Sequence, residues 1–440
     1  MSSQDTTPRK RTVRAKAKSA LPTRLEELQA LKTHELLALL DRLDVEVPSA
    51  PQHQDLVLAC MGALAAQGIT LHGGGTLEVL PDGFGFLRSS GKDFVAGQDD
   101  LYVSPTQIRR FGLRTGSRVG GEIRPPKGTE KYFALLKVEE IEGMSIEERA
   151  RLPVFEDLTP CYPEERIRLE TGKSPLDTRL IDLLVPIGKG QRGLIVAPPK
   201  AGKTILLQSL AKAVLTNHPE IHLIVLLVDE RPEEVTDFRN RVQGENVQIV
   251  ASTFDEPASR HTHTAEITLE RARRLVEEGK DVMILLDSIT RLARAYNTET
   301  PSSGKLLSGG VESTALQKPK RFFGSARNLQ EGGSLTILGT CLIETGSRMD
   351  EVIFEEFKGT GNLEIVLDRQ LADRRIFPAI DIQKSGTRRE ELLIPENELN
   401  RIWVLRKVLS SLQPIEATEL LLEKLRNSES NAEFLATMKG

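Results

Sequence analysis

Ala197-Pro198-Pro199-Lys200-Ala201-Gly202-Lys203-Thr204 decides how this 440-residue chain is read. It follows an apolar run, Gly193-Leu194-Ile195-Val196, and precedes a helix-like one, Ile205 to Ala211. That is the strand–loop–helix context of a phosphate-binding loop. Backbone N–H groups at the helix start would face the anion, Lys203 adds a mobile positive charge, and the Thr204 hydroxyl can ligate Mg2+. The consensus opens with Gly, and Ala197 stands in that place, so Gly202-Lys203-Thr204 carries the match. The competing reading is a strand-to-helix turn with a surface lysine. The flanking pattern favours a site for a nucleoside triphosphate.

A chain of this length predicts two or three domains. With 39% hydrophobic and 28% charged residues, the composition is that of an ordinary soluble protein. No run approaches the roughly 18–20 apolar residues needed to cross a bilayer, so no membrane partner is expected. The N-terminus carries Arg9, Lys10, Arg11, Arg14, Lys16 and Lys18 with no apolar stretch behind them, which excludes a secretory signal. Residues 1–21 are expected to form a disordered basic arm, with nonspecific nucleic-acid contact as its alternative role. Cys60, Cys161 and Cys341 lie far apart, which argues against a disulfide framework or zinc site and fits a cytoplasmic protein. The net charge of −4 gives no hint of nucleic acid, so any such function must reside in local patches.

From Leu25 to about Gly68 leucines recur near 3.6 spacing, interrupted at Pro48-Ser49-Ala50-Pro51, and predict a small helical bundle over 22–70. From 71 to 146 short alternating segments separated by turns predict a small β-barrel of about five strands without a long helix. A charged linker over 147–165 leads to the largest domain, 166–440. There Leu223–Val228, Val282–Leu286 and Leu335–Leu342 read as strands alternating with helices, the pattern of a mostly parallel α/β sheet.

Val282 to Asp287 is an apolar strand ending in a carboxylate, the pattern that holds Mg2+ beside a phosphate loop; a helix cap is the alternative. Glu230 ends a second strand, where a carboxylate can orient or deprotonate the water that attacks the γ-phosphate. Glu233 and Glu234, behind Pro232, read as first-turn residues that complement the helix dipole. Arg388 and Arg375 occupy turns. Each is either solvated surface charge or a cation donated to a neighbouring subunit's nucleotide. Lys305 and Arg348 lie in loops that in a ring ATPase would face the central channel and meet phosphates there.

In the barrel segment Phe84-Gly85-Phe86, followed by Arg88, has the form of a stacking platform. Aromatics on alternate strand positions share a face, and the intervening glycine admits a base. Tyr102 and Tyr132 extend it. Stacking with a local cationic edge fits single-stranded nucleic acid better than duplex. The competing reading packs Phe84 and Phe86 into the barrel core.

The chain also resembles the bacterial transcription termination factor Rho family from about residue 25 to 430. The resemblance rests on Asp82 to Arg88, Tyr102-Val103-Ser104-Pro105, Arg124-Pro125-Pro126-Lys127, Gly188 to Gly193, Pro198 to Thr204, Asp229-Glu230-Arg231-Pro232 and Ser385-Gly386-Thr387-Arg388. Ala197 is shared with that family. The resemblance implies a multidomain protein: the helical bundle, an OB-fold/cold-shock-like barrel, and an α/β RecA-like P-loop ATPase domain. It implies a homohexamer that binds ATP between subunits and threads RNA through its centre. Gly188, Lys189, Gly190, Gln191, Arg192 and Gly193 would line the nucleotide with Lys200, Ala201, Gly202, Lys203, Thr204 and Ile205. Glu230 would activate water, Arg231 would contact the site, and Thr204 and Asp287 would serve the metal. Arg388 would be the finger from the adjacent subunit, Arg375 an accessory cation and Phe377 an adenine-stacking residue.

The primary RNA site would comprise Gly83, Phe84, Gly85, Phe86, Leu87, Arg88, Asp100, Leu101, Tyr102, Glu130, Lys131 and Tyr132, favouring cytosine-rich single strands. A secondary, translocating site would use Lys305 and Arg348. The function so implied is an RNA-dependent ATPase and 5′-to-3′ RNA translocase or helicase that releases transcripts from RNA polymerase. Two rivals are a rotary-type ATPase subunit and a non-catalytic RNA-binding or antitermination protein with a structural nucleotide.

Overall fold

A computed structural model describes residues 21–45, 47, 50–302 and 306–438. All of the basic arm but Leu21 lies outside these residues, as do Lys305 and part of the Pro48–Pro51 break. Among the described residues no helix is long and apolar enough to cross a membrane.

The leucine periodicity produces three helices, Leu25–Ala30, Thr33–Arg42 and His53–Ala66. The first two are separate because Lys32 adopts an extended conformation and its N–H donates to Glu35 Oε2 at 2.7 Å, opening a new helix there. Their buried side chains, Leu28, Leu36, Leu40, Leu56, Cys60 and Leu64, do not form a core of their own. They join Leu71, Leu77, Leu87, Leu101, Val119 and Leu135 in one continuous cluster. The expected boundary at residue 70 therefore falls inside a shared core.

The barrel strands are β1 (Leu71–Val79), β2 (Gly85–Arg88), β3 (Leu101–Val103), β4 (Arg118–Arg124) and β5 (Ala134–Ile141). They close in the order β1-β2-β3-β5-β4, with only β3 and β5 parallel. Closure needs glycine where β4 bulges against β5, because a Cβ on Gly121 would lie 2.0 Å from the Lys137 carbonyl oxygen. A short helix, Pro105–Phe111, capped by Ser104, interrupts the strands; the turn-rich pattern concealed it.

The large domain is built on β6 (Arg192–Ala197), β7 (His222–Glu230), β8 (Val247–Thr253), β9 (Asp281–Asp287), β10 (Ser334–Leu342) and β11 (Leu363–Val366). These six run parallel in the order β8-β7-β9-β10-β6-β11, and Gly386–Thr387 adds antiparallel to β11. Strands covered on both faces must be apolar on both, hence their near-continuous hydrophobic runs. Along β6, Ile195 and Ala197 enter one core cluster while Leu194 and Val196 enter the other.

The segment expected to be a linker is docked. Phe155 is 1% exposed within the motor core, its ring between the Arg273 and Arg327 guanidinium groups at 5.3 and 5.0 Å. Phe94, from the loop after β2, is also wholly buried in that core. Beside it the Asp93 carboxylate accepts from Arg239 Nη2 at 2.7 Å and from the Ala251 N–H at 3.0 Å. Gly116 presses on the helix Ala258–Glu277. At φ +87° a Cβ there would lie 2.3 Å from the Glu270 carbonyl carbon. Gly116→Ala combines left-handed strain with this clash and should destabilise the barrel–motor junction by about 1–3 kcal/mol. Thermal unfolding should show an earlier transition; an unchanged profile would contradict the close packing.

Candidate functional site

The phosphate loop ends in a helix start without a side-chain cap. Gly202, at φ +91°, is the N-cap of the helix Lys203–Asn217, and Lys200 also takes a positive φ of 66°. The first N–H groups of that helix are left for an anion. Lys203 Nζ contacts Asp287 Oδ1 at 2.5 Å and lies 3.8 Å from Glu230 Oε2. Asp287 also accepts from the Thr340 hydroxyl at 2.7 Å, a group contributed by β10, which runs between the strands of loop and carboxylate.

Glu230 is aimed by a bulge. The β7–β8 register shifts between Val228 and Glu230, and Asp229 takes φ +55°. Arg291 then holds Glu230 Oε2 at 3.0 Å and also donates to the Asp229 carbonyl. Burial pushes the Glu230 carboxyl up to about 7; Lys203 and Arg291 oppose the rise, and Asp287 adds to it.

Thr204 Oγ1 donates to Glu234 Oε2 at 3.2 Å. Glu234 thus faces the loop in addition to complementing its own helix. Thr204, Asp287 and Glu234 offer only oxygen donors, the chemistry suited to Mg2+. Among the described residues no three His, Cys, Asp or Glu side chains gather as an all-protein cage. Such a site fits an ion that draws its remaining ligands from nucleotide phosphates and water. Phe377, 44% exposed, lies 3.8 Å from the position of a Cβ on Gly202, over the loop. Exposed Arg375 precedes it, and exposed Arg231 follows Glu230 at the same sheet edge.

On the barrel, Phe84, Phe86, Tyr102 and Tyr132 form one half-exposed cluster outside the core. Ring centroids lie 5.9 Å apart for Phe84–Phe86, 5.7 Å for Phe84–Tyr102 and 4.8 Å for Phe86–Tyr132. This excludes the core reading for Phe84 and Phe86. The Arg88 guanidinium lies 5.0 Å from the Phe86 centroid and pairs with Asp100. Glu130 is locked in a bidentate pair with Arg124 at 2.6 and 2.9 Å, which holds its carboxyl down at about 2. Lys131 is exposed beside it.

Residues 73–147 match the RNA-binding domain of Rho termination factor, and residues 177–387 match the ATP synthase alpha/beta family nucleotide-binding domain. Transcription termination factor Rho of Pseudomonas aeruginosa is 58% identical over 418 residues, covering 94% of this chain and 99% of the relative. Rho of Escherichia coli is 54% identical over the same shares. The chain belongs to the transcription termination factor Rho family. It is an RNA-dependent ATPase of transcription termination, and the non-catalytic alternative falls away. A prototypical ATPase from the type III secretion system of pathogenic bacteria shares the fold, with a TM-score of 0.54 at 22% identity over 63% of this chain and 85% of that one.

The structure does not bring every expected residue of this Rho-family site together. Gly188, Lys189, Gly190, Gln191, Arg192 and Gly193 lie at or before the start of β6, whereas the phosphate loop follows its end. Six residues at about 3.3 Å each separate the two. Lys189 is neutralised there by Glu165 at 2.5 Å and Asp281 at 2.8 Å. Gly190 donates to Thr336 Oγ1 at 2.8 Å, and Gln191 Nε2 to Asn362 Oδ1 at 2.7 Å. Within one chain this segment is a largely buried turn, remote from the phosphate loop.

Arg388 belongs to the same far edge, since Thr387 pairs with Leu363, the first residue of β11, and the Arg388 N–H donates to the Asn362 carbonyl. Leu87 and Leu101, 3% and 1% exposed, are barrel core rather than RNA contacts, facing inward between outward neighbours. Arg348 is the exposed first residue of the helix Arg348–Lys358, packed against the Gly309 turn that follows the undescribed Lys305. Sequence reading missed Arg291 and the loop-facing role of Glu234. The spacing of Arg291, one helical turn after Asp287, was the available signal for it.

A general base at Glu230, with its raised pKa, would set a pH limb. Because the free-state value of Glu230 lies above the ordinary 4.5, kcat/KM for ATP should rise with pH through about 7. The same raised value favours the folded state at acid pH, a contribution lost as pH climbs from about 4.5 through 7. Glu230→Gln should abolish the limb along with turnover. A flat kcat/KM profile between pH 6 and 8 in the native chain would contradict the assignment.

Proposed function

We propose that the chain acts as a homohexameric ring in the cytoplasm, hydrolysing ATP at each subunit junction to draw cytosine-rich single-stranded RNA through its centre in the 5′-to-3′ direction. The observation that supports this reading is the placement of Lys203 and Arg388 at opposite ends of the parallel sheet. One chain cannot direct both at one phosphate, whereas a head-to-tail neighbour can supply the missing arginine. The proposed direction of travel and action on the RNA polymerase elongation complex rest on the resemblance to the termination factor family and are part of this proposal.

Each group has a role in this scheme. The open helix start and Lys203 bind the phosphates, with Lys203 leaving Asp287 for them. The Glu230 carboxylate takes a proton from the attacking water, oriented by Arg291. Mg2+, held by Thr204 and Asp287 with Glu234 close by, would neutralise phosphate charge. Phe377 stacks on the base, and Arg375 and Arg231 add positive potential at the same edge. The neighbour's Arg388 stabilises charge in the transition state.

On the barrel, Phe84, Phe86, Tyr102 and Tyr132 stack bases. Arg88 donates and Asp100 accepts, a pair that complements the acceptor N3 or O2 and the donor N4 on the cytosine edge. Lys131 meets the RNA backbone, and Arg348 meets the RNA in the channel; Lys305, assigned to the same site, lies outside the described residues.

Mixing two inactive variants tests the junction. Lys203→Ala and Arg388→Ala should each abolish RNA-stimulated ATPase. Co-assembled at equal amounts they should regain activity, because about a quarter of the junctions then combine an intact Lys203 with an intact Arg388. No recovery after verified co-assembly would contradict a finger acting between subunits.

A further inference from the structure

The base-reading arginine of the barrel is held through a residue of the motor. Glu78, on β1 directly across from Phe86, uses both carboxylate oxygens. Its Oε2 accepts from Arg88 Nε at 2.7 Å, and its Oε1 contacts His263 Nε2 at 2.7 Å. His263 lies on the motor helix Ala258–Glu277. Arg260 Nη1 lies 3.3 Å from the other ring nitrogen, His263 Nδ1. An arginine always donates, so Nδ1 is the acceptor and the imidazole proton resides on Nε2, directed at Glu78. Asp100 takes Arg88 Nη1. Among the described residues no hydrogen bond engages Nη2, the nitrogen left for a base. Arg88 and Glu78 are both largely buried, with side chains 9% and 13% exposed, so the orientation of the guanidinium depends on these partners rather than on water.

We propose that His263 is a positioning residue for base recognition: from the motor it fixes Glu78, and through Glu78 it fixes the plane in which Arg88 presents itself to RNA. This rests on the reading of Arg88 and Asp100 as the cytosine-recognising pair. It makes the RNA preference of the barrel dependent on its docking against the motor. The same helix holds the loop that follows β2, since Arg260 also donates to the Asp93 carbonyl, so a displaced helix would release both supports of the platform.

The test compares dissociation constants of the full chain for oligocytidylate and oligouridylate RNA at one salt concentration. His263→Leu removes the donor and should reduce the cytosine-over-uracil ratio about threefold to tenfold, the scale of a hydrogen bond to a charged group acting through one intermediary. His263→Gln keeps an N–H donor and should restore most of the ratio, whereas a merely structural role would not separate the two variants in this way. Glu78→Gln provides a second route and should also lower the ratio, with ATPase activity in the absence of RNA unchanged. A ratio unaffected by His263→Leu and Glu78→Gln, or lost equally in His263→Leu and His263→Gln, overturns the proposal. Arg88→Ala separates the layers. If it lowers the ratio while the His263 and Glu78 variants do not, the positioning role fails and the reading of the pair survives; if Arg88→Ala leaves the ratio intact, both fail.

Discussion

A parallel sheet sorts side chains by the strand end they occupy, and that polarity governs this molecule. The phosphate loop after Ala197, Glu230 at the end of β7, Asp287 at the end of β9 and Phe377 beyond β11 gather at one edge. Lys189, Asp281 and Arg388 gather at the other. Ligands bind outside the carboxyl ends of strands in such sheets, where helix starts and strand ends converge. Arg388 at the amino edge is out of reach of its own phosphate loop. In the proposed ring, the reaction is a property of a junction between copies.

The occupied edge is electrostatically unbalanced. Lys203 pairs closely with Asp287 and less closely with Glu230, so two buried carboxylates share one ammonium, with Arg291 as partial compensation. Burial and the neighbouring Asp287 leave Glu230 easier to protonate than an ordinary glutamate. A carboxylate so tuned matches what a general base working near neutral pH requires. The bulge at Asp229 and the grip of Arg291 set its direction.

Much of this was legible from local pattern. The loop, the strands ending at Glu230 and Asp287, and the barrel aromatics each announce themselves through short-range spacing: an apolar run ending in a carboxylate, or aromatics on alternate positions. The helix break at Lys32 was less visible, because one extended residue between leucine-rich turns leaves the periodicity almost intact. The resemblance places Leu87 and Leu101 in the RNA site, whereas alternation along a strand directs them inward. The family resemblance assigns Gly188 to Gly193 to the nucleotide, and the direction of β6 places them at the sheet edge opposite their own phosphate loop. Glu234 and His263 could not be found by spacing, since each acts on a residue far away in sequence.

The central claim is that catalysis requires two copies in contact, and specific activity on dilution tests it most directly. RNA-stimulated ATP hydrolysis per chain, measured with particle mass across a dilution series, should collapse as the assembly dissociates. Constant activity per chain in preparations shown to be monomeric would contradict the account.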